Sequence, residues 1–368
     1  MIDCENMQIA LQLAEKGMGW TAPNPMVGAV IVKDGQTIGT GYHARCGQQH
    51  AERNALNVCT ESPVGATMYV TLEPCCHYGR QPPCVDAILE AGIRRVVVGS
   101  ADPNPLVAGK GVRILREHGV EVTEHVLQEQ CDRLNEVFFH YIQTGTPFVV
   151  MKYAMTMDGK IATCTGASKW ITGELARKHV HRQRHRYSAV MVGVGTVLAD
   201  DPLLTCCISG RKNPTRIICD SSLRTPLASQ IVKTSDRVPT VIATCCTDTA
   251  RHRAYQDAGC EILIIPAQAG PVDLLRLMRE LGRREIDSVL LEGGGTLNWA
   301  ALSASMVQKV QAYLAPKLFG GRDAKSPVDG VGVPCPADAV PLKNSMVISL
   351  GDDFLIESEV ASHVHGNC

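Results

Sequence analysis

The chain has 368 residues, a length that favours two or three domains over one. Apolar residues make up 45% of it and charged residues 20%, which is typical of globular proteins with well-filled cores. A formal net charge of −1 and an aromatic content of 4% argue against long nucleic acid as a partner, because neither a cationic field nor a base-stacking surface is available.

The N-terminal segment has no features of export or membrane insertion. It carries Asp3 and Glu5 where a signal peptide has basic residues, and no run of about eighteen apolar residues occurs anywhere in the sequence. Sixteen cysteines without an export signal are typical of reduced thiols, most of them small buried side chains. We therefore expect a cytoplasmic protein that does not span a membrane.

The first 145 residues alternate between helical and strand patterns. Helical spacing over 2–16 is followed by a β-hairpin that turns at Asp34-Gly35. A helix begins near His50, and an apolar strand over 65–74 runs into the motif "EPCCHYGRQPPC". A helix over 82–92, a strand over 94–102, a helix over 109–119 and a strand over 120–126 follow. This alternation predicts an α/β sandwich around a mainly parallel sheet.

The second part of the chain begins at an interrupted helical stretch. Gly145 and Pro147 break it and a new strand starts at Phe148, so we place the domains at 1–145 and 146–368. A terminal hairpin over 344–359 turns at Gly351-Asp352. Strands are predicted over 148–156, 188–194, 215–222, 239–245, 260–266, 287–295 and 309–321, and helices over 272–281 and 296–305.

Three side chains of the first domain match a zinc deaminase signature. "HAE" at 50–52 opens a predicted helix, and Pro74-Cys75 follows the apolar strand, as in the H-x-E and P-C-x-x-C elements of such enzymes. The second cysteine, Cys84, stands six residues later than that spacing requires. Gly79 and Pro82-Pro83 favour a loop that is extruded before a new helix begins with Cys84 in its first turn, where free N–H groups stabilise a thiolate.

We therefore predict a catalytic zinc bound by His50, Cys75 and Cys84, with Glu52 as the group that transfers protons. His77 in place of Cys84 is the alternative ligand, and Cys76 is read as a bystander. Chance burial of these cysteines beside a surface histidine is the competing structural interpretation.

A glycine turn in the second domain indicates a phosphate-binding site. "SVLLEGGGTLNW" joins an apolar strand to a helix through Gly293–Gly295, where a phosphate could meet the helix N-terminus. The turn lacks the G-x-G-x-x-G pattern of dinucleotide-binding folds, and a merely tight turn is an equal alternative.

Motifs along nearly the whole chain resemble the riboflavin-biosynthesis bifunctional deaminase–reductase family. They are "PNPMVGAVIV", "GYH", "HAE", "TLEPCCHYGRQPPC" and "DPNPLVAGKG" in the first domain, and "KYAMTMDGKIAT", "SKWIT", "GVGTVLADDPLLT" and "LEGGGTLNW" in the second. The resemblance implies a cytidine deaminase-like α/β/α sandwich followed by a dihydrofolate reductase-like α/β domain. It also implies deamination of a small phosphorylated pyrimidine and NADPH-dependent reduction of its ribosyl group, in a homo-oligomer.

Carried over position by position, the resemblance implies three sets of contacts. Those to the substrate of the deaminase are Asn24, His43, His77 and Arg80. Those to the nicotinamide cofactor are Ala154, Trp170, Thr196, Asp200, Ser222, Gly294, Gly295, Thr296, Leu297 and Asn298. Those to the substrate of the reductase are Lys152, Ser168, Arg184, Leu204 and Glu292.

One departure from the family pattern bears on the reductase; the other, Cys76, stands where the family more often has serine. Cys207 stands where the family usually has an arginine that binds the substrate's phosphate, and Arg211 in the adjacent loop is a candidate replacement. A deaminase with an impaired reductase domain is therefore the alternative interpretation, although Lys152, Asp200 and Glu292 are retained.

Overall fold

The computed structural model describes residues 2–78, 81–105, 107–266 and 270–361. The chain divides into two compact units, Met1–Gly145 and Thr146–Cys368. Each unit packs helices against its own β-sheet, so the predicted α/β class is confirmed. Within the described residues, no helix combines the length and the apolarity needed to cross a membrane.

The first unit is built on a five-stranded sheet. Its strands are β1 (Gly28–Lys33), β2 (Gln36–Tyr42), β3 (Thr67–Leu72), β4 (Arg95–Ser100) and β5 (Glu121–Thr123), in the spatial order β2-β1-β3-β4-β5. β1 is antiparallel to both β2 and β3, whereas β3, β4 and β5 are parallel. The prediction of a mainly parallel sheet was therefore wrong for this unit, because the hairpin that turns at Asp34-Gly35 forms one edge of the sheet and β1 pairs antiparallel with β3.

Helices cover both faces of this sheet. They are α1 (Ile2–Ala14), α2 (Ala51–Asn57), α3 (Cys84–Glu90), α4 (Lys110–Glu117), α5 (Gln128–Leu134) and α6 (Glu136–Thr144). On one face, Met7 of α1 and Cys131 of α5 pack with Val30 and Tyr69 of the sheet. On the other face, apolar side chains of α2, α3, α4 and α6 form the larger core. The result is the predicted three-layer sandwich.

One close approach sets the position of α2. A Cβ atom at Gly41 of β2 would lie 2.4 Å from the Ala51 carbonyl oxygen, so only glycine lets the helix rest directly on the strand. His50 is the residue before the first turn of this helix, and its position therefore follows from the packing of α2 on β2.

The second unit contains a nine-stranded sheet in which most neighbours are parallel, as predicted. The strands are β6 (Phe148–Thr156), β7 (Ala189–Gly193), β8 (Thr215–Cys219), β9 (Thr240–Thr244), β10 (Glu261–Ile264), β11 (Ser288–Leu291), β12 (Lys309–Ala315), β13 (Leu342–Leu350) and β14 (Asp353–Val360). Their spatial order is β10-β9-β8-β7-β11-β6-β12-β14-β13, and only the pairs made by β14 are antiparallel.

Helices flank this sheet on both faces as well. They are α7 (Glu174–Arg186), α8 (Val194–Asp200), α9 (Gln230–Lys233), α10 (Thr249–Asp257), α11 (Leu274–Arg283) and α12 (Gly295–Ser303). The basic run of the sequence forms α7, whose buried face holds Ala176, Val180, Gln183 and His185. Helices α8, α9 and α10 were not predicted, because they are short, with seven, four and nine residues. β12 ends at Ala315, six residues earlier than predicted, since Pro316 has no N–H to continue the ladder.

Candidate functional site

Three potential metal ligands of the first unit lie together. One ligand atom each from His50, Cys75 and Cys84 falls within 4.8 Å of the others. The Nδ1 atom of His50 is 3.5 Å from the Cys75 sulfur and 3.4 Å from the Cys84 sulfur. One imidazole nitrogen and two thiolates at such separations are a donor set suited to Zn²⁺, with one position left for a further ligand.

The unusual spacing between the cysteines follows from the start of α3. The backbone N–H groups of Cys84 and Val85 both donate to the Cys75 carbonyl, at 3.0 and 3.2 Å, and the Cys84 N–H also points at the Cys75 sulfur. The helix thus begins against Cys75. Hydrogen bonds from Cys84 and from His50 hold the pKa of the Cys75 thiol well below its ordinary value in spite of burial, which favours a thiolate.

Glu52 lies in the first turn of α2, two residues after His50, and only 3% of it is exposed. Burial raises the pKa of its carboxyl group above the ordinary value. A buried carboxyl group next to the ligand cluster, with a raised pKa, is suited to accepting and returning a proton. Arg53, the following residue, donates to the Pro83 carbonyl at 2.9 Å and so ties α2 to the start of α3.

Some of the residues that are expected to contact the deaminase substrate lie near this cluster. His43 is buried, its ring centroid is 5.4 Å from that of His50, and its Nε2 atom is 3.4 Å from the amide of Asn24. Its Nδ1 atom faces the Gln49 carbonyl at 3.1 Å, so Nδ1 donates there and Nε2 remains an acceptor. His77 lies outside the three-ligand cluster and has a buried Nδ1 atom without a hydrogen-bond partner among the described residues. Arg80 lies outside the described residues.

Three buried polar residues near this site escaped sequence reasoning. The Asn135 side chain makes two hydrogen bonds to the backbone of Met26. Its Oδ1 atom accepts from the Met26 N–H at 2.8 Å, and its Nδ2 atom donates to the Met26 carbonyl at 3.0 Å. Glu73, directly before Pro74-Cys75, accepts from three backbone N–H groups of the 102–112 segment. Asp102 is 7% exposed, and burial raises its pKa to about 6. The one available signal in the sequence was Glu73, an acidic residue at the end of an apolar strand, which indicates a buried polar group.

The second unit contains a buried group of charged side chains. Arg184 of α7 donates from Nε and Nη2 to the two carboxylate oxygens of Glu292, at 2.7 and 2.9 Å, and Lys152 of β6 approaches the same carboxylate at 3.4 Å. Burial raises the pKa of Glu292, but the charges of Arg184 and Lys152 outweigh it and lower that pKa to about 2. All three residues were expected at the substrate site, and the structure brings them together.

Two more expected residues contact each other beside the 168–170 segment. The Ser168 hydroxyl donates to Asp200 at 2.7 Å, and Lys169 donates to the Asp200 backbone carbonyl at 2.9 Å. Leu204 is buried, and the carbonyl of the next residue, Thr205, accepts from Arg184 at 3.1 Å. The segment after α8 therefore borders the charged group.

The glycine turn lies at the start of α12, next to Thr196 and Asn298, two other residues that are expected to contact the cofactor. A Cβ atom on Gly294 would lie 3.7 Å from the Thr196 hydroxyl. A Cβ atom on Gly293 would meet the Leu297 side chain and the side-chain amide oxygen of Asn298. Asn298 is fully buried, donates to the Pro327 carbonyl and keeps its Oδ1 atom unpaired among the described residues. A glycine cradle at a helix start fits a phosphate group of a nucleotide, and the unused buried acceptor suits a hydroxyl or amide donor of the same ligand. Gly295 and Thr296 form the first positions of this helix.

The remaining expected cofactor residues are positioned by other contacts. Trp170 is 66% exposed, and the Arg177 guanidinium lies 4.7 Å from its ring centroid. Ala154 is in β6 opposite Tyr313 of β12. Ser222 is exposed, and its carbonyl accepts from Arg251 at 2.8 Å.

Cys207, the departure from the family pattern in the second unit, is exposed and adopts a left-handed backbone conformation with φ of 49°. Its sulfur is 3.2 Å from the Thr205 hydroxyl. Arg211 lies beside His185, at 3.4 Å between the nearest nitrogens.

Comparisons with known proteins match both units. Residues 1–100 match the family model of the cytidine and deoxycytidylate deaminase zinc-binding region, and residues 147–356 match that of the RibD C-terminal domain. The chain is 53% identical to the riboflavin biosynthesis protein RibD of Actinobacillus pleuropneumoniae, over 98% of this chain and 96% of that protein.

Two crystal structures are similar over the full length. The diaminohydroxyphosphoribosylaminopyrimidine deaminase/5-amino-6-(5-phosphoribosylamino)uracil reductase of Thermotoga maritima has a TM-score of 0.86 and 38% identity, and covers 98% of this chain and 99% of its own. Acinetobacter baumannii RibD has a TM-score of 0.87 and 37% identity at the same coverage.

Proposed function

The chain belongs to the RibD family of riboflavin biosynthesis proteins, and from this membership we propose that it catalyses two successive steps of that pathway. The first is the hydrolytic deamination of 2,5-diamino-6-ribosylamino-4(3H)-pyrimidinone 5′-phosphate. The second is the reduction of the ribosyl group of the product, which gives 5-amino-6-(5-phosphoribitylamino)uracil. We assign deamination to residues 1–145 and reduction to residues 146–368. The observation that carries the proposal is the cluster of His50, Cys75 and Cys84 beside the buried Glu52.

Deamination needs a nucleophilic oxygen and a group that moves protons. Zinc held by His50, Cys75 and Cys84 would supply Lewis acidity that lowers the pKa of water. Glu52 takes one proton from the attacking water and passes it to a ring nitrogen, and then carries the second proton of that oxygen to the amino group, which leaves as ammonia; its raised pKa supports this role.

Asn24, His43, His77 and Arg80 are proposed to hold the pyrimidine and its phosphate. The Nε2 acceptor of His43 meets the Asn24 amide, so the two side chains together fix the orientation of that amide at the proposed pyrimidine site. The unpartnered Nδ1 atom of His77 is a second group available for a ligand.

Reduction needs a hydride donor and a rigid site for the ribosyl phosphate. NADPH would supply the hydride, held by Ala154, Trp170, Thr196, Asp200, Ser222 and residues 294–298. Lys152, Ser168, Arg184, Leu204 and Glu292 bind the substrate in this proposal. Glu292 stays ionised at neutral pH because its pKa is about 2, so it accepts hydrogen bonds from the substrate and does not deliver protons.

The choice of NADPH over NADH is supported by two cations next to Ser222. Arg251 donates to the backbone carbonyls of Ser222 and Leu223, and Arg224 is exposed in the same turn. Guanidinium groups at this place would favour a ribose that carries a 2′-phosphate. Comparing kcat/KM for the two dinucleotides tests the choice.

Self-association is proposed through the edge of the second sheet. In the described part of the chain β13 is the last strand of its sheet, and its apolar side chains Met346, Val347 and Ile348 are exposed. A long exposed edge strand of this kind is suited to pairing with a second copy. The fifteen cysteines that the structure describes are all free thiols, which supports our assignment to the reducing cytoplasm.

The decisive experiment supplies the diaminopyrimidinone phosphate together with NADPH and follows both ammonia release and loss of reduced nicotinamide. We expect wild-type protein to show both signals. Glu52→Gln should keep its metal but slow ammonia release by about 10²–10⁴-fold, while it still consumes NADPH when given the deaminated product. Ammonia release without NADPH consumption in the wild type would instead support a deaminase with an impaired reductase unit.

A further inference from the structure

The segment 201–207 of the second unit has a backbone that its residues do not favour. Asp201, Leu204 and Cys207 have φ values of 40°, 53° and 49°, in the left-handed region that L-residues with side chains rarely adopt. Three such residues within seven positions cost free energy, so the surrounding structure must hold the segment in this shape.

This segment lies at the reductase site proposed above. The Thr205 carbonyl accepts from Arg184 at 3.1 Å and faces His181 at 3.2 Å, and Arg184 also binds Glu292. The backbone carbonyl of Thr205, the residue after Leu204, is thus held by the guanidinium of Arg184. A shift of this segment would move Leu204 and Cys207 relative to that group.

A second guanidinium holds the carbonyl before Leu204. Arg216 of β8 has no exposed surface, and its Nη1 atom donates to the Leu203 carbonyl at 3.2 Å. Its other donors bind the Thr234 and Thr240 hydroxyls and the Ile231 and Val238 carbonyls. One side chain therefore connects the strained segment to α9 and to the start of β9.

The environment of Arg216 is unusual for a buried cation. Among the described residues, every acceptor that it contacts is a neutral carbonyl or hydroxyl, and no carboxylate pairs with it. Burial lowers its pKa to about 10, which still leaves it charged at neutral pH. Burying a charge costs desolvation free energy, and an apolar side chain of similar volume often gives the folded protein equal or greater stability. Stability by itself therefore does not account for a cation at this position.

We propose that Arg216 is a positioning residue of the reductase: by binding the Leu203 carbonyl it keeps Leu204 in its left-handed conformation and so fixes the 204–207 edge of the substrate site. The proposal rests on the assignment of reduction to this unit. Without Arg216 the Leu203 carbonyl loses its anchor, and Leu204 can relax to an ordinary negative φ. The edge then turns away from Arg184 and Glu292, which weakens substrate binding and leaves the dinucleotide turn at Gly293–Gly295 unchanged.

The test compares Arg216→Met and Arg216→Lys with the control Thr234→Val in the full-length protein. Thr234→Val removes a different partner of the same Nη1 atom and keeps the bond to Leu203. Arg216→Lys retains the charge but cannot span all these acceptors, and it serves if Arg216→Met does not fold. Steady-state reduction of the deaminated product by NADPH is measured, with deamination by the same chain as an internal control.

We expect both Arg216 variants to raise KM for the ribosyl phosphate at least about tenfold, while KM for NADPH and the deamination rate stay within about twofold of wild type. Thr234→Val should resemble wild type. A purely structural role would lower the amount of active reductase, and hence kcat, with KM unchanged, and that result would overturn the proposal. Wild-type protein that deaminates but does not oxidise NADPH would instead overturn the assignment of reduction.

Discussion

The two units contain buried polar sites of opposite electrostatic character. In the first, His50, Cys75 and Cys84 point three ligand atoms at one another, and the pKa of the nearby Glu52 is raised by burial. In the second, the Glu292 carboxylate is already paired with Arg184 and Lys152, and its pKa is lowered to about 2.

The difference indicates two ways of preparing a site. The first unit gathers three ligand atoms suited to a metal cation, so we expect its activity to depend on a metal. The second surrounds one carboxylate with two cations of its own, and it offers hydrogen-bond donors and a glycine turn to ligands that carry phosphates. Changes that remove a metal ligand should therefore affect only the first unit, and changes that unbalance the buried pair should affect only the second.

The largest effect is expected from Cys84→Ser. Loss of one thiolate should reduce bound zinc from about one ion per chain to nearly none, because a structural or catalytic zinc site needs its full donor set. Deamination should disappear with it, while reduction continues. Metal analysis and both activity assays check this.

Cys76→Ser is the matched control, since Cys76 lies outside the three-ligand cluster although it is adjacent to Cys75. It should retain zinc and deamination. Loss of zinc in Cys76→Ser but not in Cys84→Ser would show that the ligand assignment is wrong.

The next effect concerns the buried pair of the second unit. Glu292→Gln leaves Arg184 and Lys152 without an anion, which should lower the free energy of unfolding of this unit by about 3–5 kcal/mol. The partly exposed Glu280, which pairs with Arg284, provides the control Glu280→Gln, for which we expect a change below about 1 kcal/mol. Hydrogen exchange of the β6 and β11 amides in the full chain measures both.

The pH dependence of the same variant gives a second measurement. Because the pKa of Glu292 is lowered on folding, its stabilising contribution is present above its ordinary pKa and is lost as the pH falls toward about 2. The difference between wild type and Glu292→Gln should therefore shrink over that acid range. A difference that stays constant would rule out the ionised pair as its cause.

The smallest effect, and one of opposite sign, is expected for Asp102→Asn in the first unit. Burial raises the pKa of Asp102 to about 6, so its contribution to stability is present below its ordinary pKa and is lost as the pH rises through 6. The amide should make the first unit more stable than wild type at pH 8 by up to about 3 kcal/mol, and no more stable near pH 4. Exchange rates of β3 and β4 amides check this.

Asp34→Asn, at the exposed hairpin turn, should change stability by less than about 0.5 kcal/mol at either pH. Equal stabilisation by Asp102→Asn at both pH values would contradict a titrating carboxyl as the cause.

Local sequence patterns were sufficient for most elements of the fold. The Asp34-Gly35 turn, the helix that begins at Cys84 and the parallel strands of the second unit are present where the patterns placed them, within a few residues. These features depend on neighbouring residues, because turn chemistry, helix starts and alternating burial act over a few positions. The antiparallel position of β1 beside β3 had no such signal.

Long-range partners of buried polar groups were missed for the same reason. Asn135 lies 109 residues from Met26, whose backbone it binds, and nothing near either residue indicates the contact. Arg216 looked like an ordinary basic residue at the start of a strand. Asp102 and Glu73 lay within or next to recognised motifs, but their burial was not evident.

The sequence by itself determined the residue types that carry the chemistry and their order along the chain: HAE, then the two cysteines, then the glycine turn. Motif spacing and strand or helix starts are local properties, and composition excluded the other partners considered. Only the tertiary structure decided which atoms meet. It brings His50 Nδ1 close to two cysteine sulfurs, and it pairs the Arg184 guanidinium with the Glu292 carboxylate. It also decided the surroundings of Leu204, a left-handed residue whose neighbouring carbonyls at Leu203 and Thr205 accept from Arg216 and Arg184, residues that are distant in sequence.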